Sequence, residues 1–162
     1  MTTMPEQPWV RRPETPAERA DRNLVELLQE LRVIQTGVQI VFAFLLGLAF
    51  TSRFGQLSEF QTGAYIATLL LTVVASVILS TPVALHRGLF HRGAKRRIVD
   101  VSARLALVGL FFLALAINGA VLLVTDVVLG HTAAATITAV TVMLFAAMWF
   151  LLPWVLRRPF EC

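Results

Sequence analysis

The chain has a single cysteine, and it is the last residue, Cys162. An intramolecular disulfide is therefore excluded, and so is a metal site built on thiolates. Lysine is nearly missing too: thirteen of the fourteen basic residues are arginine, the bias that a GC-rich genome imposes through its codons. The first thirty residues carry Arg11, Arg12, Arg19 and Arg22 among six acids and hold no early apolar core. That pattern argues against a cleavable secretory signal and leaves insertion to the first long apolar run. Above all, the chain has little charge. Only 15% of its 162 residues are charged while 57% are hydrophobic, with a mean hydropathy of +0.74. An ordinary soluble domain is excluded by that balance. The net charge of +4 and pI near 10.6 do not indicate nucleic acid, because the arginines are scattered among short connections instead of lining a groove.

Four segments contain no formal charge: Val33 to Ser52, Phe60 to Leu85, Leu105 to Thr125 and Thr132 to Leu156. Each reaches the roughly 20 residues that a helix needs to cross about 30 Å of hydrocarbon. Backbone groups in lipid must be satisfied within their own segment, so the runs are read as helices. Pro5, Pro8 and Pro13 predict a disordered cytoplasmic tail over residues 1–14, and residues 15–162 are read as one membrane domain. Thr15, Pro16 and Glu18 form a helix-start signature, a capping box with proline in the first turn. A helix beginning there meets no breaker before Gly47, so it is longer than a span and its first half lies outside the hydrocarbon. Ser58 and Gln61 repeat the capping-box spacing before the second run. Residues 126–131 form a connection short enough to make the last two helices antiparallel neighbours. Pro82 and Pro153 are expected to bend or end their helices. The predicted fold class is all-α: a four-transmembrane-helix bundle with an amphipathic cytoplasmic helix extending the first span.

Arginine and lysine set the orientation. Thirteen of the fourteen fall on the side of the N-terminus, the middle loop and the C-terminus; only Arg53 falls on the other. The expectation is a multi-pass protein of the bacterial plasma membrane with both termini cytoplasmic. Trp149 and Trp154 suit an aromatic belt at the inner headgroups, and Tyr65 the outer one.

Leu24, Leu27, Leu28, Leu31 and Ile34 make the half-helix before the first span amphipathic, with three arginines and four acids over residues 17–32. So balanced a face favours docking on protein over resting on anionic lipid. The same stripe projects onto Gln35 and Gln39. Thr68, Thr72, Ser76 and Ser80 follow one another at four-residue spacing in the second run, the serines at the depth of the two glutamines. Asn118 matches the depth of Thr138 and Thr141. These nine residues are candidates for polar helix packing, or for a permeation path between helices. Arg87, Arg92, Lys95, Arg96 and Arg97 could contact anionic lipid headgroups. No uncharged run holds a carboxylate; Asp126 and His131 read as solvated connection residues. His86 and His91 lack an accompanying acid or thiol, so no metal is expected. Nor is a cofactor expected, or a catalytic residue, since Ser76 and Ser80 have no nearby His or Lys at matching depth.

The stretches RNLVELLQELRVIQTGVQIVFAFLL at 22–46, TPVALHRGLFHR at 81–92 and VLLVTDVVLG at 121–130 together resemble a family of small actinobacterial membrane proteins known as a domain of unknown function. The likeness covers nearly everything after the proline-rich tail. Some members carry an automatic sodium:proton antiporter label, and the resemblance supplies no site residues. The expected function is a non-enzymatic, self-associating helical module with the lipid bilayer as its first partner. The alternative is a small cation (sodium/proton) transporter or channel subunit with its pathway between protomers.

Overall fold

A computed structural model describes residues 15–89, 95–152 and 155. Four helices follow one another: α1 Pro16–Ala49, α2 Glu59–Leu89, α3 Lys95–Leu129 and α4 His131–Ala146, the last continued by a π-helical stretch, Ala147–Leu151. The proline-rich tail, the 90–94 connection and Pro153 lie outside the described residues.

The starts of α1 and α2 have a local cause. Thr15 Oγ1 accepts the Glu18 amide hydrogen, and the Glu18 carboxylate accepts the Thr15 amide at 2.7 Å, closing the capping box with Pro16 in the first turn. The Thr15 backbone hydrogen bond also holds the Glu18 carboxyl below its ordinary range. At α2 the Ser58 amide donates to Gln61 Oε1 at 3.0 Å and the Gln61 amide to Ser58 Oγ at 3.2 Å. Both boxes sit where the S/T-x-x-E/Q spacing places them. Pro82 does not end α2, which continues to Leu89 with the proline ring fully buried.

The third connection is shorter than the six residues expected. Nothing between Asp126 and Leu129 breaks a helix, so α3 runs on and Gly130 alone makes the reversal. Its φ is +87°, the left-handed region open to glycine, and its amide still reaches the Asp126 carbonyl at 3.1 Å.

Burial follows a three-and-four alternation. In α2 the buried positions are Tyr65, Thr68, Thr72, Ala75, Leu79 and Pro82; in α3 they include Ser102, Gly109, Leu113, Ala116 and Leu123; in α1 they are Leu31, Val38 and Leu45. This is the seam of helices packed side by side with knobs in holes. Leu31, Val38, Ala75, Leu79 and Leu113 form one cluster, against which Leu27 and Ile34 pack; Leu45, Tyr65 and Leu123 form the other. The pairing of α2 with α3 is the most extensive; α1 lies across both, and α4 packs chiefly on α3. Small residues allow the close α2–α3 approach: a Cβ on Gly109 would stand 2.6 Å from Leu79 Cγ, and one on Gly119 would strike the Thr68 hydroxyl.

The outward faces are as apolar as the seams. Val33 is 75% exposed, Leu107 68% and Met143 63%, and every helix contributes such residues. All four helices are long and apolar enough to cross a membrane. A water-facing surface does not tolerate apolar area on this scale.

Gly119→Val is expected to lose about 1–3 kcal/mol through overpacking against Thr68. Thr68→Ala should recover part of that loss in the double variant. Unfolding of the micelle-held chain, followed by circular dichroism, measures both.

Candidate functional site

The polar residues singled out by spacing divide into groups according to helical geometry. Seven-residue steps drift about 20° around a helix, whereas four-residue steps drift about 40°. The series Thr68, Thr72, Ser76, Ser80 therefore winds off the seam: the threonines are buried, Ser76 is half-buried and Ser80 is exposed. Their hydroxyls largely turn back on the helix, Thr68 to the Ala64 carbonyl at 2.7 Å, Thr72 to Thr68 at 2.8 Å and Ser80 to Ser76 at 2.7 Å.

The same drift separates the two glutamines. Gln35 Nε2 donates across the helix pair to the Leu79 carbonyl at 2.9 Å and to Ser80 Oγ at 3.3 Å. Gln39 departs from the expected packed face. The α1 seam passes through Val38, and Gln39 projects outward, exposed, with no hydrogen-bond partner among the described residues.

On α3, Asn118 is buried. Its Nδ2 donates to the Ala114 carbonyl at 2.7 Å, and its Oδ1 accepts the Thr141 hydroxyl at 2.6 Å, a side-chain bridge to α4. The Thr138 carbonyl lies 3.0 Å from the same Thr141 hydroxyl, while Thr138 Oγ1 and Ser102 Oγ are buried without a partner. The basic side chains Arg87, Arg92, Lys95, Arg96 and Arg97, and those of His86 and His91, lie outside the described residues. Among the described residues no cluster of three or more His, Cys, Asp or Glu could hold a metal.

A further polar centre was hidden from spacing. Asp126, read as a solvated residue, is only 9% exposed. Gln61 Nε2 donates to its Oδ2 at 2.8 Å, and His131 Nδ1 stands 3.0 Å from its Oδ1. Gln61 thus spends both ends of its amide, the oxygen capping α2 and the nitrogen holding Asp126. The His131 side chain is 70% exposed, with the Phe60 ring edge-on at 4.9 Å. Both carboxylate oxygens are engaged, so the arrangement acts as a clamp joining the start of α2, the end of α3 and the start of α4. The signal in the sequence was Gln61 in a capping box and an Asp and a His flanking a lone glycine hinge.

These contacts and the apolar exterior define an all-helical protein whose four helices can each cross a membrane. Residues 13–153 match a family of unknown function, DUF6328, and the chain belongs to that family. No curated protein and no solved structure matches it.

Asp126→Ala is expected to cost about 1–3 kcal/mol, chiefly the penalty for leaving the half-buried Gln61 amide unpaired. A double-mutant cycle with Gln61→Leu should give a coupling of at least about 1 kcal/mol. Equilibrium unfolding in mixed micelles reports it, and additive effects would remove the clamp from this account.

Proposed function

We propose that the protein is a non-enzymatic, self-associating helical module of the bacterial plasma membrane, in an actinobacterium, with both termini cytoplasmic. The observation that carries the reading is Gln39. It lies about 15 Å from the Ala49 end of α1, well inside the apolar stretch, and its amide has no hydrogen-bond partner among the described residues. A bare amide in hydrocarbon costs several kcal/mol, about 2–7 by transfer measurements. A second copy removes that cost most simply. An amide carries both a donor and an acceptor, so two Gln39 side chains facing each other across a two-fold axis can exchange two hydrogen bonds.

The surrounding face suits that approach. Thr36, Ala43 and Gly47 lie on the side of α1 opposite the seam, and a Cβ on Gly47 would meet nothing within 4 Å. Small residues around one polar group are what lipid-embedded helices use to come together. The distribution of arginine supports the cytoplasmic termini, with Arg53 alone on the outer side. Leu27, packed against the inner cluster, supports docking of the cytoplasmic half of α1 on protein.

A cation-transport reading draws on Asp126, a buried carboxylate close to the end of a span. The polar pairs weigh against it, since Gln35 and Asn118 each close on a neighbouring helix instead of lining a common path.

In lipid discs, Gln39→Cys placed in a Cys162→Ser chain should cross-link to itself under mild oxidant, and Gln39→Leu should shift the wild-type chain from dimer to monomer. A wild-type chain that is monomeric at high protein-to-lipid ratio contradicts self-association. Sodium-driven proton movement in liposomes, lost in Gln39→Leu, would favour the transport reading instead.

A further inference from the structure

A groove of about 190 Å³ opens between the ends of α1 and α3, beneath the α1–α2 connection. Its walls are Phe44 and Leu48 of α1, Phe54 of the connection, and Val124 and Val128 of α3. They offer no free polar group, for the one lining hydroxyl, Thr51, is already bonded to the Leu48 carbonyl at 2.7 Å. For scale, an apolar cavity of about 150 Å³ stays dry and accepts benzene. Water is a poor occupant here; a hydrocarbon chain is a good one.

One charged residue borders the groove. Arg53 is part of its lining, is exposed, and makes no ion pair or hydrogen bond through its side chain among the described residues. An apolar slot beside an uncompensated guanidinium is complementary to an amphiphile with an apolar tail and an anionic head. Guanidinium binds phosphate oxygens in forked geometry, which suits a phosphodiester.

We infer that this groove is a binding site for one anionic glycerophospholipid, an acyl chain between α1 and α3 and its phosphate on Arg53. The site lies at the ends of α1 and α3 remote from Pro16 and Lys95, so under the proposed topology the lipid belongs to the outer leaflet. The inference rests on the membrane placement of the chain and is independent of self-association through Gln39. It also gives Arg53, the one basic residue that the charge asymmetry leaves outside, a role in holding the lipid.

The full chain, purified in mild detergent and offered equal amounts of phosphatidylglycerol and phosphatidylcholine with identical chains, provides the test by native mass spectrometry. One phosphatidylglycerol should be retained preferentially per chain. Arg53→Gln should reduce that preference about fivefold, the contribution of one charge near a membrane surface. Val124→Trp, which fills the groove, should abolish retention of both lipids while the helical circular dichroism is unchanged. Equal retention of the two lipids by the wild-type chain would overturn the inference. A phosphatidylglycerol bearing a photoreactive acyl chain covers the case in which Val124→Trp does not fold. Its adducts on the wild-type chain should concentrate at Phe44, Leu48 and Val124; an even spread over the outward faces would mean annular lipid only. Recovery of the chain in the membrane fraction beforehand separates failure of this site from failure of the membrane reading.

Discussion

A hydrogen-bonding group on an apolar helix must find its partner within protein, and most of the interior hydrogen bonds among the described residues follow from that requirement. Threonine and serine hydroxyls fold back on the carbonyl one turn earlier, as Thr72 does on Thr68 and Thr125 on Val121 at 2.6 Å. Larger polar groups reach across helices: Gln35 to the Leu79 carbonyl, Tyr65 Oη to the Leu45 carbonyl at 3.1 Å, Thr141 to Asn118. Together these bonds tie α1 to α2 at two depths and α3 to α4 at a third. Packing sets the spacing of the helices, while the polar contacts help fix their register.

The requirement also makes Gln39 conspicuous. Its neighbour Gln35 is satisfied by α2; four residues further along, the same side chain type has rotated out of reach. Among the described residues the amide is an unmet demand on the outside of the bundle. Asp126 is the reverse case, a carboxylate drawn inside because Gln61 and His131 are placed to receive it. That clamp gathers three helix termini at one end of the molecule, next to the single-residue turn at Gly130.

Helix number, the starts of α1 and α2 and the apolar character of the runs were legible because each rests on local chemistry. Length without charge marks Phe60 to Leu85, and Thr15 with Glu18 marks the start of α1. The polar interior was legible only in part. Four-residue spacing paired Thr68 with Thr72 on the seam but carried Ser80 and Gln39 beyond it, because the seam follows alternating steps of three and four. The burial of Asp126 does not follow from its spacing, since it depends on α2 delivering Gln61 from 65 residues away. The groove at Arg53 was equally hidden, being formed where two helix ends and a connection meet.

All of this depends on hydrocarbon, not water, surrounding the outward faces. Nitroxide labels at Leu70 and Phe111, outward-facing on α2 and α3, test that directly in liposomes through their accessibility to oxygen and to a water-soluble nickel chelate. High oxygen and low nickel accessibility at both positions is the predicted result; nickel accessibility equal to that of a solvated loop would contradict the account.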